Sequence, residues 1–330
     1  MSTVPQIALV GCGYWGKNLC RNFHALSALS AVVDATENGH ETARSIAPNI
    51  RVTKSFDNIL ADDQIHGVAL ATPAETHADF AIQAMKAGKD VFVEKPMALT
   101  LDDANEMKQV AHETNSILMV GHLLEYHPAV LKLREMIASG DLGKINYIYS
   151  NRLNFGKVRT EENALWSFAP HDVAVILRLI GQAPMEVSAC GGSYLTKGIA
   201  DTTMSNLRFS DDSRAHIFVS WLHPFKEQRL VVVGDKKMAI FNDVVPFGEK
   251  LQLYPQNVEF EGSIPLLKKE DAEFIEHANS EPLREECNHF LECIQSRKQP
   301  LTNAQSGIDV LKVLHACQKS IGQNGVPVSL

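Results

Sequence analysis

The sequence predicts an α/β protein of two domains, a doubly wound parallel sheet followed by an α+β domain with a large, mostly antiparallel open sheet. Three observations lead to this fold class. Short apolar runs alternate with helical patterns up to about residue 121, and longer runs of alternating polarity with few helices follow. The length of 330 residues also suits two ordinary domains. We therefore expect residues 1–122 and 123–330 to form separate domains.

The first domain has five apolar runs that are typical of buried parallel strands. They are IALV (7–10), AVVD (31–34), HGVALAT (66–72), DVFVE (90–94) and ILMVG (117–121). A helical pattern follows each of the first four runs, and the predicted helices begin near Gly13, at HETARSIA, near Glu75 and at Thr100. Such helices return the chain across the sheet, so that the strands run parallel and both faces are covered.

The second domain begins with a helix predicted from about Pro128 to Ala138, and strand candidates then dominate. They are KINYIYSNRL, MEVSACGGSYL, TTMSNLRFS, RAHIFVSWL, RLVVVGD and KMAIFND. One helix interrupts them, predicted over 171–180, and helices near 283–296 and 304–321 follow. Many consecutive strands with few helices indicate an open sheet with one covered face. The last two helices could pack back on the first domain.

Composition and charge exclude several classes of protein. The net charge of −8 argues against a nucleic-acid partner, and no apolar run approaches the roughly 20 residues needed to span a membrane. The start MSTVPQIALV lacks the pattern of a signal peptide, and the six cysteines form no CxxC pair, which indicates a reduced, cytoplasmic protein. Cys287, His289 and Cys293 could bind a metal, but their segment is typical of an amphipathic helix, so we predict no metal site.

The stretch GCGYWG (11–16) has the form GxGxxG and lies between a predicted strand and a predicted helix. In a Rossmann domain the first two glycines allow a tight turn and a close approach to a pyrophosphate, and the third lets the helix pack on the sheet. The predicted cofactor residues here are Gly11, Gly13, Tyr14, Trp15 and Gly16. Asp34 ends the next strand, where a carboxylate can accept ribose hydroxyls and would repel a 2′-phosphate, so NAD is favoured over NADP. A purely structural turn and a solvated Asp34 are the alternatives.

Two further stretches end at the same predicted sheet edge, ATPAETH (71–77) and VFVEKP (91–96). In the first, Thr72 and Pro73 are expected to line the cofactor site, and His77 could contact the cofactor or only belong to the first helical turn. In the second, Glu94 is expected to contact cofactor or backbone. Lys95 would lie beside the nicotinamide, where it could hydrogen-bond a substrate hydroxyl and assist its deprotonation; otherwise it is a surface lysine at a strand end.

Together, GCGYWG, TPAETH and AGKDVFVEKPMA, with the open-sheet domain after them, resemble the Gfo/Idh/MocA family over essentially the whole chain. This resemblance implies an NAD(P)-dependent oxidoreductase that acts on a sugar or polyol hydroxyl. The family usually carries an aspartate and a histidine four residues apart in ALWSFAPHDVAVI (164–176). Here His171 takes the histidine place and is the implied general base, whereas Ser167 replaces the aspartate. Asp172 could orient a neighbouring group or cap the helix.

GHLLEYHPAV (121–130) and LWSFAPHD (165–172) resemble the branch of this family that oxidises UDP-activated amino sugars. The resemblance implies oxidation of the 3-hydroxyl of UDP-N-acetylglucosamine to a 3-keto sugar, which an aminotransferase could aminate for lipopolysaccharide or another surface glycan. UDP-N-acetylglucosaminuronate is an alternative substrate. The predicted substrate-binding residues are His122, Tyr126, Arg152, Asn154, Arg159, Asn163 and Asp172. The basic loop that holds several of them could bind a diphosphate or be merely solvated, and Tyr126 could stack on uracil or pack in the core.

Two other functions remain open from the sequence. One is oxidation of a free polyol or hexose such as inositol, and the other is a nucleotide-sensing module without chemistry, which the presence of both Lys95 and His171 disfavours. The uncovered face of the predicted open sheet also indicates a homo-oligomer.

Overall fold

The computed structural model of the protein describes residues 4–330, which divide into two compact units. The first unit comprises the chain up to Tyr126 together with Ser280–Leu311, and the second comprises His127–Asn279 and Lys312–Leu330. The chain therefore leaves the first unit and later returns to it.

The helices and strands are numbered here in chain order. The helices are α1 (Gly16–Ala25), α2 (Glu37–Ile46), α3 (Asp57–Leu60), α4 (His77–Lys86), α5 (Leu101–Glu113), α6 (Pro128–Ala138), α7 (Ala164–Ile180), α8 (Pro282–Ser296) and α9 (Ala304–Gly322). The strands of the first unit are β1 (Ile7–Val10), β2 (Leu29–Val33), β3 (Arg51–Thr53), β4 (Gly67–Leu70), β5 (Asp90–Glu94) and β6 (Leu118–Gly121). Those of the second are β7 (Ile145–Phe155), β8 (Glu186–Gly192), β9 (Thr202–Arg208), β10 (Arg214–Ser220), β11 (Leu222–Gly234), β12 (Met238–Asn242), β13 (Leu251–Tyr254), β14 (Asn257–Glu261), β15 (Ile264–Lys268), β16 (Glu273–Phe274) and β17 (Val328–Ser329).

The first unit is built on a six-stranded parallel sheet in the order β3-β2-β1-β4-β5-β6, as the doubly wound prediction requires. Its central strands are buried on both faces: β1 and β4 carry no polar side chain, and β5 has an apolar centre between Asp90 and Glu94. Helix α8 packs against α1 in this unit, where the rings of Phe23, Phe92 and Phe290 meet edge to face with centroids 5.9–6.5 Å apart. Arg297, just after α8, also forms an ion pair with the buried Asp90, with Nη1 2.6 Å from Oδ2.

The second unit is built on a nine-stranded sheet in the order β16-β13-β12-β11-β7-β10-β9-β8-β17. Only β7 and β10 run parallel, so the prediction of a mostly antiparallel sheet is confirmed. Helix α7 covers one face and contacts β7, β9 and β10. The opposite face carries the stacked rings of Tyr149 and His216, with centroids 5.2 Å apart. Strands β14 and β15 form a separate two-stranded sheet.

Helix α7 is longer than the sequence predicts. It begins at Ala164 rather than near His171, and Pro170 lies inside it. The Asn163 side chain accepts a hydrogen bond from the N–H of Trp166 at 3.2 Å and so satisfies one of the first free donors of the helix. Ser167 and His171 therefore lie one turn apart on a continuous helix.

Two negative findings apply to the described residues. Between residues 4 and 330 no helix combines the length and apolar character needed to cross a membrane. Over the same residues no three His, Cys, Asp or Glu side chains are placed to hold a metal ion. Cys287 and Cys293 lie buried in the core of the first unit, and the Nε2 atom of His289 accepts the N–H of Leu301 at 3.0 Å.

Candidate active site

The glycine-rich turn of the first unit joins β1 to α1. Gly11 has a φ of +89°, and a Cβ there would lie 2.8 Å from the carbonyl oxygen of Ala71. A Cβ at Gly16 would lie 2.0 Å from the carbonyl oxygen of Gly11, so the helix can approach the turn only because this residue is glycine. A Cβ at Gly13, by contrast, would meet no atom within 4 Å. The open space at Gly13, beside the N-terminus of α1, fits a pyrophosphate.

Asp34 is fixed beside this turn. One carboxylate oxygen accepts the Cys12 N–H at 2.7 Å, and the other accepts the N–H and the hydroxyl of Thr36 at 2.8 and 2.7 Å. Burial would raise the pKa of Asp34, but these hydrogen bonds outweigh it and hold the pKa below its usual value. Gly39 leaves the room for this arrangement, since a Cβ there would lie 2.1 Å from Cγ of Asp34. A fixed, ionised carboxylate at the end of β2 fits the ribose of NAD.

The two aromatic residues of the turn differ in their surroundings. Tyr14 is 83% exposed, so its ring is available to a ligand. The Nε1–H of Trp15 donates to Oε1 of Glu94 at the end of β5. Trp15 therefore connects the glycine-rich turn to the strand that carries Lys95.

The β4–α4 turn holds Thr72, Pro73 and His77. Thr72 is partly buried and Pro73 is exposed, and both lie shortly after β4, whereas His77 is 1% exposed. The Nε2 atom of His77 lies 2.9 Å from the carbonyl oxygen of Thr72, and Nδ1 lies 2.9 Å from that of Pro96. His77 thus contacts two backbone carbonyls, and its burial leaves little of it for a cofactor.

Glu94, Lys95 and Pro96 form the end of β5. Glu94 is 7% exposed, and burial raises its pKa to about 7, although Trp15 and Lys95 act in the opposite direction. Lys95 is partly exposed, and the bond between Lys95 and Pro96 is cis. The strand therefore ends with a buried carboxyl group, followed directly by a partly exposed lysine.

In the second unit, α7 carries His171 and Asp172 on different faces. Asp172 is 2% exposed, and its oxygens accept the hydroxyl of Ser150 at 2.6 Å and the Nε–H and Nη2–H of Arg152 at 2.8 and 3.1 Å. Burial would lower the pKa of Arg152, but Asp172 raises it. Arg152 and Asp172, both predicted to contact substrate, are thus paired with each other, and they fasten α7 to β7 beside His171.

The other predicted substrate residues have varied surroundings. Asn163 caps α7, and its side chain donates to Oε1 of Gln318 at 2.8 Å. Arg159 forms ion pairs with Glu161 at 3.3 Å and with Glu162 at 3.0 Å. Oδ1 of Asn154 is buried without a hydrogen-bond partner among residues 4–330.

His122 and Tyr126, predicted from the first unit, are both buried. His122 is 2% exposed. Tyr126 is 4% exposed, and its hydroxyl lies 2.9 Å from Oγ1 of Thr302. Tyr126 is therefore a core residue in the described structure, and burial raises its pKa.

Sequence reasoning missed an assembly of three loops in the second unit. The N–H of Gly156 donates to the carbonyl oxygen of Trp221 at 3.4 Å. Trp221 in turn donates to the Asp201 carboxylate through Nε1–H at 2.6 Å, and Asp201 also accepts the N–H groups of Tyr194 and Leu195 at 2.6 and 2.9 Å. The loops after β7, after β8 and at the start of β11 therefore meet. Phe155, which ends β7, is 79% exposed, and this exposure is visible only in the structure.

The sequence matches two family descriptions along its length. Residues 6–122 match "Oxidoreductase family, NAD-binding Rossmann fold", and residues 130–240 match "GFO/IDH/MocA C-terminal domain".

Individual relatives extend this similarity. A 2,7-anhydro-N-acetylneuraminate hydratase of Mediterraneibacter gnavus is 29% identical over 77% of this chain and 71% of its own. UDP-N-acetylglucosamine 3-dehydrogenase of Acidithiobacillus ferrooxidans is 26% identical over 93% of this chain and 94% of its own.

A solved structure of that dehydrogenase matches with a TM-score of 0.84 and 24% identity, covering 96% of this chain and 97% of that one. At this identity the structural match supports the fold alone. The family matches extend over more than half of the sequence, and the glycine-rich turn and Asp34 fit the dinucleotide. The chain belongs to the Gfo/Idh/MocA oxidoreductase family, and its first unit is an NAD-binding Rossmann domain.

Proposed function

We propose that the protein oxidises the 3-hydroxyl of UDP-N-acetylglucosamine to a ketone, with NAD as the hydride acceptor. The observation that carries this proposal is the match to the dehydrogenase of that specificity, which extends over nearly the whole of both chains. The partly exposed Lys95 at the carboxyl end of β5 supports it, because an ammonium group there can hydrogen-bond a reacting hydroxyl.

In this proposal His171 accepts the proton of the 3-hydroxyl and Lys95 orients the oxygen. His171 lies on a helix that Asp172 and Arg152 fasten to β7, which limits how far the imidazole can move. Ser167, one turn before His171, takes the place of a carboxylate that is usual in the family. We expect Lys95→Met and His171→Asn each to lower kcat by about 10²–10⁴-fold while NAD binding is kept.

The second unit offers cations for a diphosphate. Lys157 and Lys197 lie in the loops after β7 and β8 that Trp221 and Asp201 join, Lys226 lies in the first part of β11, and all three lysines are exposed. Among residues 4–330 none of these lysines lies within ion-pair distance of a carboxylate, whereas Arg152 and Arg159 are already paired. We therefore assign the diphosphate of the substrate to these loops, with the exposed Phe155 next to them as a surface on which a base could stack.

The test measures NADH formation by the purified protein with NAD and a panel of sugars. The panel contains UDP-N-acetylglucosamine, UDP-N-acetylglucosaminuronate, UDP-glucose, inositol and glucose, with a ketone trap to draw the reaction forward. Turnover confined to UDP-N-acetylglucosamine supports the proposal. Turnover that needs the C6 carboxylate transfers the assignment to the uronate, and turnover with inositol or glucose alone refutes a nucleotide-sugar substrate.

A second measurement tests the diphosphate site. Lys157→Gln and Lys226→Gln should each raise KM for the UDP-sugar severalfold, because each removes a charge that a diphosphate would contact. Lys269→Gln is the matched control, since Lys269 is also exposed but lies in the segment after β15. Equal KM values in all three variants would contradict the assignment.

The relative from Mediterraneibacter gnavus supports a second candidate, a lyase or hydratase reaction on an acidic sugar. Incubation with 2,7-anhydro-N-acetylneuraminate distinguishes the two, because a hydratase consumes this sugar without net formation of NADH.

The product of the favoured reaction, a 3-keto sugar, is a substrate for an aminotransferase, which would place the protein in the synthesis of an amino sugar for lipopolysaccharide or another surface glycan. A cytoplasmic location stays a prediction.

Self-association is supported by apolar residues on the uncovered parts of the second unit. Tyr147 and Met204 are 41% and 53% exposed on the sheet, and Phe260 and Leu267 are each 68% exposed on the β14–β15 hairpin. An isolated two-stranded hairpin gains little stability by itself in water, so a covering surface is expected. Light scattering after gel filtration measures the assembly, and a monomer at micromolar concentration would contradict this expectation.

A further inference from the structure

His77 joins two backbone turns that differ in their expected roles. It is buried at the start of α4, and its two ring nitrogens lie 2.9 Å from the carbonyl oxygens of Thr72 and Pro96. Thr72 belongs to the turn that follows β4, and Pro96 directly follows Lys95. One side chain therefore spans the distance between a predicted cofactor turn and the turn that carries the proposed catalytic lysine.

The Thr72 turn is part of the dinucleotide site by direct packing. A Cβ at Gly11 would lie 3.1 Å from the backbone nitrogen of Thr72, so the glycine-rich turn and the Thr72 turn are in contact. The hydroxyl of Thr76 donates to the carbonyl oxygen of Pro73 at 2.8 Å, and its oxygen lies 2.8 Å from Oγ1 of Thr72. These contacts hold the Thr72 side chain and Pro73 within the turn whose Thr72 carbonyl faces His77.

A second contact joins the glycine-rich turn to the residues next to Lys95. Trp15 of the glycine-rich turn donates to the Glu94 carboxyl, and the Lys95 N–H lies 3.3 Å from the second oxygen of that group. The residues on both sides of Lys95 are thus tied to loops of the dinucleotide site, Glu94 through Trp15 and Pro96 through His77.

The chemistry of an imidazole limits how both bonds of His77 can be made. A neutral ring has one N–H and donates to one carbonyl, whereas a protonated ring donates to both. Burial lowers the pKa of His77, and the two carbonyls and Glu75 act against that decrease. Near pH 7 the ring is therefore mostly neutral, and at any one time it donates to one of the two carbonyls and packs against the other. The position still favours a ring donor over an apolar side chain, which would leave both buried carbonyls without a donor.

We propose that His77 is a positioning residue. Through its contacts with Thr72 and Pro96 it fixes the position of the Lys95 turn relative to the bound dinucleotide. The role of Lys95 itself comes from the proposed function, on which this inference rests. Removal of the Pro96 bond should misplace Lys95 and lower kcat. Removal of the Thr72 bond should loosen the dinucleotide turn and weaken NAD binding.

Two amide substitutions separate the bonds. An asparagine amide reaches about as far as Nδ1 of histidine, and a glutamine amide about as far as Nε2. His77→Asn should therefore keep the donor to Pro96, so that kcat stays within about threefold of the wild type while the Kd for NAD rises. His77→Gln should keep the donor to Thr72, so that NAD binding is kept while kcat falls by about 10–100-fold, as expected for a misplaced catalytic group. His77→Ala should lose both.

The experiment measures the Kd for NAD by calorimetry without a sugar, kcat with the sugar that the panel identifies, and the unfolding temperature. It also measures the rate at which an amine reagent labels Lys95, followed by peptide mass spectrometry across pH 6 to 10. A changed labelling profile of Lys95 in His77→Gln, with a wild-type profile in His77→Asn, supports the proposal. Because NAD binding and Lys95 labelling need no sugar, a failed sugar panel does not decide the role of His77.

Two outcomes would overturn the inference. One is equal loss of kcat and of NAD affinity in the asparagine and glutamine variants, together with equally lowered unfolding temperatures, because that is the behaviour of a residue that only maintains the fold. The other is a Lys95 labelling profile that none of the three variants changes.

Discussion

The stability of the first unit should fall as the pH rises, and Glu286 should cause part of this fall. Glu286 on α8 is 1% exposed, and within residues 4–330 neither of its carboxyl oxygens has a hydrogen-bond partner. Burial, with Glu94 and Glu125 nearby, raises its pKa well above the ordinary value. The folded protein therefore keeps a proton on Glu286 at pH values where the unfolded chain has already released it.

The magnitude follows from this difference in bound protons. Between the unfolded pKa of about 4.5 and the raised folded value, the free energy of unfolding should fall by about 1.4 kcal/mol for each pH unit because of this one group. The loss over even one such pH unit is a sizeable part of the roughly 5–15 kcal/mol that is typical of a folded protein.

Glu286→Gln removes the titration, and urea unfolding at pH 5, 6, 7 and 8 measures its effect. The free energy of unfolding of the variant should depend less on pH than that of the wild type. The difference between the two should therefore shift in favour of the variant as the pH rises. Glu285→Gln is the matched control, because its side chain is only partly buried on the same helix. Parallel curves for the wild type and Glu286→Gln would refute the reasoning, whatever the absolute cost of a buried amide.

Three further predictions concern residues of the first and the second unit. Gly11→Ala should destabilise the protein by about 2 kcal/mol in urea unfolding, because Gly11 has a positive φ and a Cβ there would contact Ala71. Gly13→Ala should leave urea unfolding nearly unchanged and weaken NAD binding at least about tenfold, because a Cβ there would occupy open space in the turn. Asp172→Asn should cost about 3–5 kcal/mol by leaving the buried Arg152 charge unpaired, and a double variant with Arg152→Met should recover part of that loss in the same unfolding assay. Asp34→Ser should shift the ratio of kcat/KM for NADP over NAD upward by about tenfold or more, and an unchanged ratio would remove Asp34 from the ribose site.

The fold of the first unit was largely predictable because each of its strands but one contains a run of apolar residues. The exception is β3, whose three residues, Arg51–Thr53, include an exposed arginine. An edge strand of this kind carries no apolar run, so periodicity does not detect it. In the second unit the long strands were predictable from a different pattern. Polar and apolar residues alternate along them, and such alternation indicates a half-buried strand.

The start of α7 was not predictable from the pattern around Pro170. A proline is usually read as a helix boundary, yet here the helix continues through it from the Asn163 cap. The capping role of Asn163 is visible only once the first turn is known, and sequence reasoning placed this residue in the substrate site instead.

The candidate site was predictable where it depends on local motifs and not where it depends on packing. The glycine-rich turn, Asp34 and the end of β5 are local, and the structure brings them to one sheet edge. The pairing of Arg152 with Asp172 joins a strand to a helix, and the burial of Glu286 depends on where α8 packs. Neither the Arg152–Asp172 pair nor the burial of Glu286 can be predicted from sequence spacing, because each of these residues is an ordinary polar residue within its own segment.

The discontinuous first unit has a consequence for how the chain is made. Phe290 completes the aromatic cluster with Phe23 and Phe92, and Arg297 supplies the partner of the buried Asp90. Both residues leave the ribosome only after every strand of the second unit except β17 has been synthesised, about 10–30 s after Tyr126 at typical elongation rates. During that interval the nascent dinucleotide domain lacks part of its core, whereas the second unit, which comes next, waits mainly for the end of α9. The newly made enzyme therefore acquires its complete cofactor-binding unit among the last steps of translation, and chaperones would have this window in which to bind the exposed Phe23 surface.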